Sequence, residues 1–551
     1  MRTLPTTFAL LLAALLPAAE GIPRIPIGDS ETIVLYGDSI TEQNLYAAFI
    51  ENFLITRFPD KQLRIYNYGW SGDTTAGGNQ RFARDVAPCK PTLVFVDYGM
   101  NDGRYAPADE QIRAGYLAAQ RDLAATIKAA GAREVLITTS PIDPDRRADK
   151  DTYNEALALM ADGVLALGTE FGIATADIFH PMREEQRLAK VTDPAFTLIP
   201  DSIHPDPAGH LVMAYHVLRR LDAPAGVGAI TVRGKQVAAA NGASVSAATV
   251  TADAISFELA LACLPCAVPA AARRGLAVVP FQEELNRLAL TVEGLTGSWA
   301  LSVGDREVAT FTAEQLGAGV DLAIIEGTPW AEAAQRVWDL GQRRWHRHFD
   351  AWRGLGMEND PMLKQHPAHL AMIQAAAAYV DALGEAMRSA AKPGTWKVSL
   401  SRSTRLALSS IELAPVLPAE ADFEHRYPPE TAPDAARWQR VPFTGVMDFQ
   451  PVLGVNDNCV VHARLLLDAD RACSLRLILG SDDGLVVTVN GVQALSKNVG
   501  RGLRPGDDSV DVPLLKGRNH LLFRVSQGVG GYGLAIDAKV LGDATVAQFA
   551  P

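Results

Sequence analysis

Cysteine is scarce in this chain. There are five, Cys89, Cys263, Cys266, Cys459 and Cys473, among 551 residues, and an odd count leaves at least one without a partner. A disulfide-stapled scaffold is therefore excluded, and stability has to come from packed cores. Cys263-Leu264-Pro265-Cys266 has redox-motif spacing but no βαβ context, so it reads as a local disulfide or as two buried thiols. Cys459 and Cys473 read as lying on two arms of one hairpin around "DADR". Each then faces the far end of its partner strand, roughly 20 Å away at about 3.3 Å per residue, which forbids a bridge. Positive charge is also short. The formal net charge of −12 argues against a general binder of nucleic acid or of anionic membranes. No stretch beyond the N-terminus is apolar for long enough to span a bilayer, so no integral membrane segment is expected. There is no G-x-S-x-G elbow, which speaks against an α/β-hydrolase, and Ser389-Ala-Ala-Lys392 has no K-T-G to accompany it. Long internal repeats and low-complexity tracts are missing as well.

What is present divides into distinct stretches. The length exceeds what one hydrophobic core serves, so two to four domains are expected. The opening "MRTLPTTFALLLAALLPAAEG" has one Arg, a short apolar run and then small residues, the pattern of a secretory signal peptide over residues 1–20. A secreted or periplasmic protein is expected. Over 21–222, strand-like runs "TIVLYGD", "LRIYNYG", "TLVFVDYG", "EVLITTSP" and "GIATADIF" alternate with helical patterns at Leu45–Phe58, Asp109–Ala130, Thr152–Phe171 and Pro207–Leu221. Such alternation implies a parallel sheet covered on both faces, with ligands at the carboxyl ends of its strands.

Residues 223–401 read as a mixed α+β extension. Short strands come first, with paired strands and Gly turns in "PFQEELNRLALTVEGLTGSWALSVGDREVATF", and two long helices follow at Trp330–Leu355 and Pro367–Ala391. Trp338, Trp345 and Trp352 recur every seven residues on one helical stripe, either a packing face or a sugar-stacking platform. His346 and His348 sit two apart on that helix and face different ways, which disfavours a metal site. "HPAH" at 366–369 has no acidic or Cys partner nearby. Residues 402–551 show short alternating runs with Gly and Asn-Gly turns, the pattern of an antiparallel β-sandwich.

Four short stretches carry the chemistry. Ser39 closes "TIVLYGDS" at a strand-to-helix junction, where backbone N–H groups can stabilise an anion. A serine hydroxyl is a weak nucleophile and needs a base within hydrogen-bond reach. "NYGWSGDT" brings Gly72, which lets a substrate oxygen approach its N–H closely. "YGMNDG" brings Asn101, an uncharged side-chain donor. Ser39 N–H, Gly72 N–H and the Asn101 amide together can form a three-donor oxyanion hole. In "PDSIHPDPAGHLVMAYHVL", Asp201 stands three residues before His204, so the carboxylate can accept the Nδ1 proton and leave Nε2 as the base for Ser39. Taken singly, each has a bland reading as a cap, turn or helix-entry residue.

Gly37-Asp38-Ser39, "SGDT" with Gly72, Gly99-Met100-Asn101-Asp102 and Asp201-Ser202-Ile203-His204 resemble, in the right order, four sequence blocks of the SGNH hydrolases, also called GDSL esterases and lipases. The resemblance spans about Thr32–Leu221. It implies a flavodoxin-like three-layer α/β/α fold, Ser39 as nucleophile with His204 and Asp201, an oxyanion hole of Ser39, Gly72 and Asn101, and ester hydrolysis without metal or cofactor. The C-terminal stretch, through "GSDDGLVVTVNG" and "NHLLFRVSQGVGGYGLAI", resembles galactose-binding-like sandwiches appended to secreted glycan-active enzymes. Its Asp482, Asp483 and Asn490 either cap strand-joining turns or touch sugar or Ca²⁺. "VPFQEELNR" resembles extensions behind exported bacterial SGNH domains. The expected partners are a small-molecule or polysaccharide ester and a glycan on the C-terminal module. Three functions follow: O-deacetylation of a carbohydrate, a lysophospholipase or thioesterase activity, or glycan binding beside a vestigial hydrolase domain.

Overall fold

The computed structural model describes residues 24–147, 152–418, 423–454, 456–542 and 544–549. The expected signal peptide, 1–20, lies outside the described residues. The chain forms two compact units that interleave along the sequence. The first takes residues up to Val227 with Ala262–Arg287 and Trp330–Pro393; the second takes Gly228–Leu261, Leu288–Pro329 and the stretch from Gly394 onward. The segment 223–401 therefore contributes to both.

The first unit is built on five parallel strands, β1 (Ser30–Gly37), β2 (Gln62–Asn67), β3 (Leu93–Asp97), β4 (Arg133–Ile137) and β5 (Ala174–Ala176), in the order β2-β1-β3-β4-β5. Ile33, Val34, Leu35 and Tyr36 of β1 are wholly buried, as are Leu93 to Val96 of β3, which is why both read as continuous apolar runs. Ile33 faces Ile65 on one side and Leu93 on the other. The helices are α1 (Ser39–Glu42), α2 (Leu45–Arg57), α3 (Thr75–Asp85), α4 (Glu110–Ala129), α5 (Tyr153–Phe171), α6 (Phe179–Thr192) and α7 (Pro207–Leu218). From β1 the chain steps outward to β2 and then back across to β3, β4 and β5. Right-handed crossovers put α2 on one face and α3, α4 and α5 on the other. The packing follows: α2 rests on α7, while α3 rests on α4 and α4 on α5. The sheet and its two helical layers fit the SGNH α/β fold.

Helices α3 and α6 were not expected from the sequence. Two adjacent glycines weaken α3 as a helix. Tertiary packing decides instead: a Cβ on Gly78 would stand 2.5 Å from the Tyr98 hydroxyl, so only glycine lets α3 lie this close to the sheet. The helices Pro329–Phe349 and Pro367–Ala390 belong to the same core, through Val337, Leu340, Leu383 and Met387. Their tryptophan stripe is a packing face: Trp338 meets Phe49, and Trp352 meets Tyr68 and Trp70.

Among the described residues, the strands of the second unit pair antiparallel except where Leu288–Val292 pairs in parallel with Gly228–Arg233. Ser298–Val303 and Arg306–Thr312 form the expected hairpin over Gly304, whereas Leu288–Val292 lies in a different sheet. Beyond Leu406, one sheet runs through Cys459–Ala469 and Gly517–Gln527 and another through Cys473–Ser481 and Gly533–Leu541. Val461 and Phe523 of the first share a core with Leu477 and Ile536 of the second. These sheets fit a β-sandwich. The hairpin expected between the strands of Cys459 and Cys473 is not formed. The "DADR" link carries the chain from one sheet to the other, because each strand finds a longer partner elsewhere. All five cysteines are free thiols, with Cys263 and Cys266 buried. Asp483 accepts from the Arg501 and Gly528 amides, and Asn490, at φ +49, accepts from the His520 amide. Both serve turns.

Candidate active site

Ser39 opens the short helix α1 directly after β1. Asp38 caps that helix by accepting from Ile40 N–H at 3.0 Å. The Ser39 hydroxyl lies 2.9 Å from His204 Nε2, across 165 positions of sequence. On the far side of the ring, His204 Nδ1 lies 2.8 Å from Asp201 Oδ2. The other Asp201 oxygen accepts from Ile203 N–H at 2.9 Å and from His204 N–H at 2.6 Å. One carboxylate thus sets both the loop and the ring, with the ring's second nitrogen turned to Ser39. Partial burial raises the Asp201 carboxyl, but the His204 backbone and imidazole bonds outweigh it and hold it below the usual carboxylate range.

The loop that carries this pair is anchored from below. Ser202, between the two, stands at φ +79, a conformation costly for a residue with a side chain. Its hydroxyl donates to the Asp143 carbonyl, and Asp143 N–H donates to the Ser202 carbonyl. Lys190 of α6 holds Asp143 Oδ1 at 2.6 Å. His210, one turn into α7, accepts from Tyr46 N–H at 3.1 Å through Nδ1 and meets Gln43 Oε1 at 2.8 Å through Nε2. Burial pushes this imidazole down to about 3, so it is neutral and ties α7 to α2.

Gly72 stands at φ +76, and the direction a Cβ would take is open. Its loop is fixed on both sides. Ser71 N–H and hydroxyl both donate to Glu42, the first at 2.7 Å. Asp73 receives Arg81 Nε at 2.7 Å and the Tyr98 hydroxyl at 3.0 Å. Arg81 also reaches the Gly37 carbonyl at 3.3 Å and lies over the Tyr36 ring. This one buried guanidinium, on the unexpected helix α3, links the ends of β1, β2 and β3. Asn101 Nδ2 donates to the Asp73 carbonyl at 2.9 Å, and Asn101 Oδ1 accepts from the Tyr105 hydroxyl at 2.9 Å. The amide orientation is therefore defined on both ends. All five expected site residues follow strands of the sheet or precede α7. Sequence reasoning missed Arg81, Asp143, Lys190 and Tyr105, whose only signal was charge or aromaticity inside stretches assigned to no strand or helix.

Beneath Ser39 lies a group of buried carboxyls. Burial lifts Asp97 to about 7 and Asp102 to about 6, and burial together with Asp97 raises Asp38 well above its ordinary value. Among the described residues, no three His, Cys, Asp or Glu side chains converge as metal ligands, and no helix is long and apolar enough to cross a membrane.

Residues 35–212 match the GDSL-like Lipase/Acylhydrolase family. Over 226 residues, 35% of this chain and 95% of the relative, the chain is 26% identical to an acetylxylan esterase of Geobacillus stearothermophilus. Over 137 residues, 25% of this chain and 64% of the relative, it is 31% identical to Esterase TesA of Pseudomonas aeruginosa. Among solved structures it is similar to a gut microbial diltiazem-metabolizing enzyme, at 26% identity and a TM-score of 0.61. That match covers 69% of this chain and 99% of the other. Sheet order, ordered motifs and these likenesses agree: the chain carries a GDSL-family (SGNH) hydrolase domain and is an ester-hydrolysing enzyme.

Proposed function

We propose that Ser39 is the nucleophile, His204 the general base, and Asp201 the residue that orients and stabilises the imidazole. The reading rests on the chain of hydrogen bonds from Ser39 Oγ through His204 to Asp201, at 2.9 and 2.8 Å. His204 Nε2 takes the hydroxyl proton as Ser39 Oγ bonds to the ester carbonyl carbon. The carbonyl oxygen becomes an oxyanion held by Ser39 N–H, Gly72 N–H and the second N–H of the Asn101 amide. The imidazolium then protonates the leaving alkoxide, giving an acyl-serine and free alcohol. Water gives its proton to the same nitrogen, attacks the acyl carbon, and Ser39 leaves with the proton returned.

The substrate in this proposal is a carbohydrate bearing O-acyl groups, acetyl first, and the enzyme is exported to reach it. Its supports are the likeness to an acetylxylan esterase, the signal-peptide pattern, and the resemblance of the C-terminal sheets to sugar-binding modules. Those sheets would meet a glycan through residues other than Asp483 and Asn490. Incubation with a panel of acetylated polysaccharides should release acetate, and Ser39→Ala should release none while remaining folded. Release from no polysaccharide, with p-nitrophenyl acetate still hydrolysed, removes the carbohydrate and leaves the esterase. The likeness to Esterase TesA supports an esterase without fixing its substrate, and the second reading is a lysophospholipase or thioesterase. A marked preference for long p-nitrophenyl acyl chains over acetate selects it.

A further inference from the structure

Tyr105 presents an exposed aromatic ring at the active-site edge. Among the described residues, the rings of Tyr105, Phe171 and Tyr379 are exposed. Phe171 ends α5 at the opposite edge of the sheet, and Tyr379 lies on the long helix Pro367–Ala390. Trp70, beside Gly72, is already covered by guanidinium groups: Arg353 lies 3.4 Å from its ring centroid, Arg84 5.4 Å and Arg81 5.5 Å. Tyr105 is 41% exposed, yet it is held in place. Its hydroxyl donates to Asn101 Oδ1 at 2.9 Å, and its ring lies 5.3 Å from that of buried Tyr153. Gly103 lets the loop rest on Tyr153, since a Cβ there would stand 2.3 Å from the Tyr153 hydroxyl. Arg104 and Tyr105 are both left-handed, at φ +56 and +55. Two such residues with side chains in succession are costly, and strain of this kind collects where a side chain must be aimed at a ligand.

One end of the ring is thus tied to the oxyanion-hole amide, one side rests on Tyr153, and the remainder is open to solvent. Partial burial raises the phenol above its ordinary value, Asp38 and Asp201 push it the same way, and Arg147 opposes them. The ring therefore stands within electrostatic reach of the carboxyl groups next to Ser39 and His204. An ester whose carbonyl oxygen sits by Asn101 brings part of its body against this ring. The surroundings choose which part. Charged groups around the ring disfavour a long hydrocarbon chain. A sugar has an apolar C–H face for the aromatic ring and polar oxygens on its edge for the charges.

We infer that the Tyr105 ring is the platform on which the pyranose bearing the scissile ester stacks, which makes Tyr105 a specificity-determining residue for the alcohol part of the substrate. The inference rests on the carbohydrate reading above. The Tyr105 hydroxyl serves the Asn101 amide and its ring serves the sugar, and the two roles separate by substrate. Loss of the hydroxyl slows every ester alike. Loss of the ring adds a penalty for sugar esters alone.

The test follows kcat/KM by pH-stat on the full chain with three esters: methyl tetra-O-acetyl-glucoside, ethyl acetate and ethyl hexanoate. Wild type should prefer the glucoside over ethyl acetate, and Tyr105→Phe should keep that preference. Tyr105→Ala and Tyr105→Leu should each reduce it about tenfold, the worth of a stacked aromatic face. Their residual hydrolysis of ethyl acetate shows that they fold. Any loss through Asn101 is common to all three esters and cancels in the ratio. A preference left undiminished in both variants overturns the inference alone. So does a loss confined to ethyl hexanoate relative to ethyl acetate, which would put the acyl chain on the ring. A wild type that hydrolyses ethyl acetate but not the glucoside removes the carbohydrate reading, and the platform with it.

Discussion

The guanidinium of Arg353 lies 3.4 Å from the centroid of the Trp70 ring and donates to Glu42 Oε1 at 3.2 Å. It comes from the widened turn Asp350–Leu355 that ends the long helix Pro329–Phe349, more than 300 positions from the catalytic serine candidate. The other Glu42 oxygen accepts from Ser71, the neighbour of Gly72. Arg353 thus acts through Glu42 and Trp70 to hold the loop that presents the Gly72 N–H. A donor that must meet a developing oxyanion is sensitive to small displacements. Arg353→Ala should lower kcat about tenfold with a smaller change in KM, a loss specific to the transition state. Arg353→Lys should recover only part, because an ammonium cannot stack and donate as a planar fork does. An unchanged kcat in the alanine variant would mean that Arg81 and Asp73 hold the loop alone.

The Asn101 amide is oriented at both ends, by the Asp73 carbonyl and by the Tyr105 hydroxyl. Two variants separate the donor from its support. Asn101→Ala removes the donor and should cost on the order of 10²–10³ in kcat. Tyr105→Phe removes one hydrogen bond to the amide oxygen and should cost only about fivefold, the worth of roughly 1 kcal/mol. Steady-state kinetics on one aryl ester give both. Equal losses would place Tyr105 itself among the groups touching substrate.

The sequence reading reached the five strands and four of the helices of this unit: β1, β3 and β4 are buried on both faces and leave nearly continuous apolar runs, while α2 and α7 are buried almost throughout and α4 and α5 bury one side. Ser39, Gly72, Asn101, Asp201 and His204 were legible because each sits in a short stretch that changes character at a strand end or before a helix. What escaped was held by packing rather than by pattern. Helix α3 has glycines where propensity wants alanine, and only its contact with Tyr98 explains them. Arg81 and Arg353 look like ordinary surface cations until the fold brings rings and carboxylates to them. The strands of Cys459 and Cys473 read as a hairpin because a short polar link joins two alternating runs, and no local signal tells a turn from a crossing between sheets.

His348 predicts a pH dependence of stability. It is buried against Tyr66, Tyr68 and Trp352, and burial, with Arg344 nearby, pushes it down to about 3. Its folded value lies below the unfolded value of about 6.5. Between those limits the unfolded chain carries a proton that the folded chain lacks, so stability is full above about pH 6.5 and falls as pH drops toward 3. His210 has the same sign in the same window. Asp97 and Asp102, raised to about 7 and 6, have the opposite sign: they bind protons on folding and favour the folded state at lower pH. The net slope is thus a partial cancellation, and a difference between variants isolates one group. His348→Phe keeps an aromatic ring in place and removes one titration. Between pH 6 and 4, its stability relative to wild type should rise by about 1.4 kcal/mol per pH unit. Urea unfolding at four pH values measures this. Parallel curves would show that His348 is already protonated in the folded protein.

Glu51 and Arg344 are the other buried test. Arg344, on the helix Pro329–Phe349, donates to Glu51 Oε1 of α2 at 2.8 Å and to the Ile65 carbonyl of β2, and both side chains are nearly inaccessible. Burial raises the Glu51 carboxyl, and Arg344 pulls it back without fully offsetting the rise. Two charges removed from water gain little net stability from each other, but either one left alone is strongly unfavourable. Glu51→Ala should therefore cost about 3–5 kcal/mol, since it strands a guanidinium in the core. The double variant Glu51→Leu with Arg344→Met removes both charges at similar volume and should lie within about 1–2 kcal/mol of wild type. Chemical denaturation of the three proteins decides the matter. A double variant as unstable as Glu51→Ala would mean that Arg344 stabilises mainly through the Ile65 carbonyl and the Tyr66 ring it covers, rather than through Glu51.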